Sequence, residues 1–198
     1  MKNKNLKILF LYPNLHMSTL IPNGIAILSA VLKKAGFKNV ELFDPTFYES
    51  PEVTRAQKKG KSRYEAREKM GQVKPFDYKD RVISLKSTDM FVYFVKRVDS
   101  FHPHIIFASI LVDTFPIFLK FMERIKHKKI KCLAGGVFPS SVPERILQVD
   151  CVDYVCRGEG EDALINCVSV SNKESLLTIS TICGLRKKIT RQLRTLLS

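Results

Sequence analysis

Five short apolar runs alternate with stretches whose apolar residues recur at helical spacing, and this alternation constrains the fold more than any other feature of the chain. The runs are LKILFLY (6–12), VELF (40–43), HIIFASI (104–110), KCLAG (131–135) and DYVC (153–156). They are continuous rather than alternating in polarity, so each reads as a strand covered on both faces, the pattern of a parallel sheet between helices. Between the first two runs, IPNGIAILSAVLKKAGF places Ile21, Ile25, Leu28, Val31, Leu32 and Ala35 on one stripe and closes on Gly36. STDMFVYFVKRVDSF predicts a helix with Ser87 or Thr88 as N-cap, and TFPIFLKFMERIKHK predicts another with Thr114 capping and Pro116 in its first turn. A last helix is expected near Glu159, where Glu159, Glu161 and Asp162 favour the positive end of the dipole.

Two stretches break the rhythm. Residues 49–86, around RAQKKGKSRYEAREKMG, are basic and poor in periodic apolar positions, and read as an insertion after the second strand. Residues 171–198 read as a basic tail or linker beyond a domain ending near 170. With 198 residues and 45% apolar content, a single-domain core is within reach and two large domains are not.

Lys and Arg exceed Asp and Glu by 33 − 19 = 14, a field able to attract nucleic acid or acidic partners, although charge runs are more often solvated faces. Five Cys without a regular framework point to a reducing compartment, and cytoplasmic is the expected location. No run approaches the ~20 apolar residues of a membrane span, so no membrane role is expected. The basic, apolar N-terminus stops at Pro13 and Asn14 without a small-residue cleavage site.

In open α/β sheets ligands lie outside the carboxyl ends of the strands. There the chain reads PNLHMS after the first run, SILVDT after the third, GGVFPSS after the fourth and RGEGE after the fifth. Ser109 and the pair Gly135 and Gly136 stand out, since a small hydroxyl and two residues without Cβ let a flat or bulky ligand approach the backbone. A Gly-Gly after a strand is equally an ordinary turn, and Asp113 and Thr114 read better as helix-capping residues.

Other chemistries lack support. GEGEDA (158–163) fits the dinucleotide fingerprint, but it follows the last strand and carries two glutamates that would repel a pyrophosphate. No Walker loop is present. A phosphoacceptor site would need acids where Asn14 stands and a Lys near Arg157. Cys132, Cys151, Cys156, Cys167 and Cys183 form no zinc or iron–sulfur spacing, and Cys132 and Cys156 read as buried small hydrophobes.

LYPN, IPNGIAILSAVLKKAGF, SILVDTFPI, GGVFPS and DYVCRGEGEDAL, in this order and spacing, resemble the N-terminal cobalamin-binding domain of cobalamin-dependent radical SAM enzymes over about residues 4–170. The resemblance implies a flavodoxin-like, Rossmann-like α/β fold: a five-stranded parallel sheet of order 2-1-3-4-5 with helices on both faces. It implies cobalamin as cofactor, with the corrin on the carboxyl edge and the nucleotide tail running into the domain. Ser109, Ile110 and Leu111 match the S-x-L motif beside the dimethylbenzimidazole, and Gly135 and Gly136 the Gly-Gly motif that lets the tail pass. Pro13, Asn14, Val137, Phe138, Gly158 and Glu159 would line the same edge by that resemblance.

Better-known cobalamin domains place D-x-H-x-x-G after the first strand, its His ligating cobalt from below. Here Asn14, His16 and Thr19 occupy that pattern. His16 has the spacing of the lower axial ligand, Thr19 replaces the Gly, and many radical SAM relatives have no protein ligand, so both alternatives stay open. The C-x-x-x-C-x-x-C cluster motif is absent, so no local iron–sulfur site and no catalysis by this stretch alone is expected, with a separate radical SAM domain or subunit as possible partner. The competing expectation is a nucleic-acid-binding or regulatory protein on a fold that has lost cobalamin, its basic insertion contacting nucleic acid with Tyr64, Phe76 and Tyr78 as stacking groups, though without a recognised motif. A flavin or nucleotide domain of the same topology lacks a phosphate loop and ranks last.

Overall fold

Each apolar run becomes a strand: β1 (Ile8–Leu11), β2 (Val40–Phe43), β3 (Ile105–Ser109), β4 (Lys131–Gly135) and β5 (Tyr154–Cys156). The computed structural model describes residues 5–14, 22–48, 67, 69–72, 86–170 and 183–184. The five strands pair in parallel in the expected order 2-1-3-4-5. A sixth, β6 (Cys183–Gly184), adds antiparallel to the outer edge of β5 from a stretch read as tail. Two residues are too few to show any periodicity, and only the unpaired edge of β5 gives them a partner.

The helices are α1 (Asn23–Lys34), α2 (Met90–Phe101), α3 (Phe115–Ile125), the short α4 (Val137–Ser141) and α5 (Pro143–Leu147), and α6 (Glu161–Val170). Because β1 leads leftward to β2 while β3 to β5 step rightward, right-handed crossovers put α1 on one face and α2 to α5 on the other. The register makes this two cores. Phe10, Phe107, Leu133 and Tyr154 form one row facing α1 and α6, while Leu11, Ala108, Ala134 and Val155 form the next row on the opposite face. On that opposite face Phe43, Phe94 and Phe121 meet as a triangle of rings with centroids 5.0–5.5 Å apart, locking α2 and α3 to β2.

Local chemistry differs from the sequence reading at three helix starts. The cap of α2 is Asp89, not Ser87 or Thr88: its carboxylate accepts from the Phe91 and Val92 N–H groups at 2.7 and 3.3 Å, directly ahead of the first turn. Thr114 stands at the cap position of α3, but its hydroxyl accepts from Leu111 N–H at 3.0 Å and donates to Leu111 O at 3.3 Å, closing the preceding loop instead. The last helix starts two residues after Glu159, with Glu161 and Asp162 in its first turn.

The insertion read at 49–86 lies outside the described residues for most of its length. Its flanks meet: Tyr48 and Lys86 form a parallel bridge, Lys86 N–H donates to Phe47 O at 2.8 Å, and the Lys86 ammonium lies 5.0 Å from the Tyr48 ring centre. Tyr64, Phe76 and Tyr78 lie outside the described residues, as does most of the tail. Among the described residues no helix is long and apolar enough to cross a membrane.

Candidate functional site

The reversal of strand order between β1 and β3 sends the chain to opposite faces and leaves a crevice at the carboxyl edge. A cleft of about 240 Å³ opens there on the α1 side. Its floor is the row Phe10, Phe107 and Leu133, with the Phe10 and Phe107 rings 5.6 Å apart. One step nearer the carboxyl edge, Ser109 lies beside Gly135 in register and Cys156 borders Gly135. A hydroxyl, a bare backbone and a thiol thus stand side by side above an aromatic floor. Helix α1 supplies Gly24, Ile27 and Leu28 as one wall, and the turn into α6 supplies Gly158, Glu159 and Gly160 as the other.

The two glycines of the Gly-Gly pair do different things. Gly136 has φ 105° and ψ −174°, a region essentially closed to other residues, and a Cβ there would come within 2.9 Å of Ile110 O. That close approach carries two hydrogen bonds, Ile110 N–H to Gly135 O at 2.8 Å and Phe138 N–H to Ile110 O at 3.3 Å. Gly136 is therefore fixed by the fold's own packing. Gly135 is not: among the described residues a Cβ there would meet only Cys156 Cβ, at an ordinary 3.7 Å. The space it leaves belongs to the cleft.

The remaining expected residues divide in the same way. Gly158 and Glu159 line the cleft, and Gly158 N–H donates to Ser140 Oγ at 3.1 Å, tying the β5 turn to α4. Ile110 and Phe138 are buried in the opposite core, where the Phe138 ring meets Phe115 edge-on at 5.2 Å. Leu111 and Val137 are 39% and 68% exposed on the carboxyl edge, outside the cleft. Pro13 is buried. Asn14 is only 1% exposed: its amide donates to Thr46 Oγ1 at 2.7 Å, and the Thr46 hydroxyl donates in turn to Asp44 Oδ1. His16 and Thr19 lie outside the described residues.

Sequence reasoning did not place Gly24, Ile27 or the floor residues at the site. The floor residues read only as strand core, and only register shows that three of them share a row ending at a cleft. The signal available was Gly24 itself, a glycine inside a helical stripe. Cys156, read as a buried small hydrophobe, is buried and also borders the cleft, with its thiol 3.7 Å from Glu159 O. Among the described residues no group of three His, Cys, Asp or Glu side chains is placed to hold a metal ion.

A doubly wound sheet with a glycine-walled crevice at its switch point defines a ligand-binding domain of the open α/β class. Residues 78–168 match the family model of the B12 binding domain, a stretch that holds β3 to β5 with Ser109, Gly135, Gly136 and Gly158. The cofactor expected from the sequence is the one this family binds.

Two solved structures of the radical S-adenosylmethionine methyltransferase TsrM from Kitasatospora setae resemble the fold. One, with tryptophan substrate and a SAM analogue bound, aligns at TM-score 0.50 and 17% identity over 82% of this chain and 25% of its own. The other, with cobalamin and a [4Fe-4S] cluster bound, aligns at TM-score 0.53 and 16% identity over 86% of this chain and 27% of its own. At such identity the likeness is one of fold, and the chain spans about a quarter of those proteins. No curated protein matches the sequence.

The cleft fits part of a cobalamin. Its volume of about 240 Å³ lies below the roughly 300–1,000 Å³ that encloses a whole drug-sized ligand, so it suits one group of a larger molecule whose bulk stays outside. The apolar floor, the Ser109 hydroxyl and the space at Gly135 suit an aromatic base with a polar edge.

Proposed function

We propose that this chain is a cobalamin-binding module, holding the nucleotide tail in the cleft and the corrin ring over the carboxyl edge of the sheet. The observation that carries the reading is the Ser109–Gly135 row, where no contact among the described residues requires Gly135 to be bare and which falls inside the segment matching the B12 binding domain. When bound, cobalamin supplies a cobalt centre able to carry a methyl group. The chain's own residues bind and orient. The Ser109 hydroxyl offers a hydrogen bond to the base, the Phe10, Phe107 and Leu133 floor excludes water from it, and exposed Leu111 and Val137 offer apolar contact at the rim.

The absence of a C-x-x-x-C-x-x-C motif from these residues leaves S-adenosylmethionine cleavage to a radical SAM domain or subunit, so the module is not catalytic by itself. The direct test is to reconstitute the purified chain with hydroxocobalamin under reducing conditions, desalt, and record the visible spectrum of the protein fraction. Stoichiometric corrinoid is expected; its loss from a folded chain would refute the reading. The same preparation addresses His16, because a nitrogen-ligated Co(II) signal that disappears in His16→Ala would make it the lower axial ligand.

A further inference from the structure

Gly24 sits in the first turn of α1 and lines the cleft. Two circumstances require a glycine, and neither holds there. Its φ is outside the left-handed region, and among the described residues nothing lies within 4 Å of the position a Cβ would take. The same molecule shows both circumstances elsewhere: Gly136 combines positive φ with a backbone oxygen at 2.9 Å, and Gly160 would bring a Cβ to 3.0 Å from Leu28 Cδ2. Glycine in a helix is disfavoured against alanine because more backbone freedom is lost. Among the described residues no contact and no backbone conformation requires the bare position 24.

What the bare position adjoins is the cleft. Ile27 and Leu28, three and four residues on, share its helix face and line the same space. Ile27 is 53% exposed, an apolar side chain at the cleft with little protein cover. On the sheet side the cleft is bounded by Gly135, which likewise has an ordinary φ and only ordinary contact at 3.7 Å among the described residues. Side chains are therefore missing from both walls where the fold tolerates one.

We propose that Gly24 is a specificity-determining residue: its missing side chain sets the width of the cleft between α1 and the β3–β4 edge, admitting the flat bicyclic base of a complete corrinoid's nucleotide tail. This rests on the cobalamin reading and adds a residue that reading does not name. A Cβ or a branched side chain at position 24 narrows the cleft from the helix side and rejects the tail while leaving the corrin platform untouched.

The test uses the full chain with two probes, cobalamin and cobinamide, the latter carrying the corrin ring without the nucleotide tail. Affinities are measured for wild type, Gly24→Ala, Gly24→Val and Ala26→Val, the last at an exposed α1 position outside the cleft. Wild type should prefer cobalamin, and Gly24→Val should shrink that preference by about tenfold or more, with Gly24→Ala between, since small steric changes in a fitted pocket act on that scale. Ala26→Val should keep the wild-type preference, and Gly24→Ala should melt no lower than wild type. An undiminished preference in Gly24→Val overturns the proposal, as does the same loss in Ala26→Val. A wild-type chain that retains neither corrinoid overturns the cobalamin reading and this role with it.

Discussion

Gly135 and Gly136 are adjacent and chemically identical, yet their substitutions should separate stability from binding. Gly136→Ala forces a side chain into a backbone conformation reserved for glycine and onto Ile110 O, and should cost about 2–3 kcal/mol in urea unfolding. Gly135→Ala meets only ordinary contact and should change stability by less than about 0.5 kcal/mol while weakening corrinoid retention after desalting. Asn14 belongs with Gly136. Its buried amide holds the end of β1 to the Asp44–Thr46 turn after β2, so Asn14→Ala should destabilise by about 1–3 kcal/mol in the same measurement. The sequence pointed to all three as candidate ligand contacts, the glycines because they stand at the carboxyl end of the fourth run and Asn14 through the family resemblance. Which of them also makes close contacts within the fold depends on neighbours 26 to 32 residues away, such as Ile110 and Thr46, that no local motif reveals.

Strands and long helices were legible because their signals are repeated: each strand lies inside its apolar run, and α1, α2 and α3 follow their stripes. The two short helices after Gly136 were not, since five residues complete little more than one turn and GGVFPSS carries loop-like residues. The cap of α2 shows a related ambiguity. Ser87, Thr88 and Asp89 are all good capping types, and the winner is the one whose carboxylate reaches two free N–H groups. Asp89→Ala should cost about 1 kcal/mol, seen as a lower Tm. The aromatic triangle bears more of the load at this scale: Phe121→Ala removes a fully buried ring shared by α2, α3 and β2 and should cost about 3–5 kcal/mol in chemical denaturation.

Across the molecule the two cores differ in composition and share one sensitivity to alkali. Burial, with Cys156 as the next contribution, pushes the Cys167 thiol up from 9.0 to about 12 on the α1 face, and burial raises the Cys132 thiol on the other. Both are neutral in folded and unfolded chains well below pH 9, where they leave the pH dependence of stability unchanged. Above it the unfolded thiols release protons that the folded ones keep, so stability falls as pH rises from about 9 towards 12. Melting curves should show Tm declining across that window, with a shallower decline in Cys132→Ala/Cys167→Ala even though its Tm at pH 7 is lower. Unfolding should also be needed before either thiol reacts with a disulfide reagent at pH 8.

By itself the sequence determined the layer architecture, the strand order once its resemblance was recognised, and the edge of the sheet on which a ligand would lie. Those follow from periodicity and chain direction, which are local and repeated. The tertiary structure alone decided which glycines meet close contacts, that the buried Asn14 amide pairs with Thr46, that a short β6 adds to the edge of β5, and that a helix glycine lines the cleft. Those depend on which atoms of distant segments arrive within a few ångströms of one another, and only the folded backbone fixes that distance.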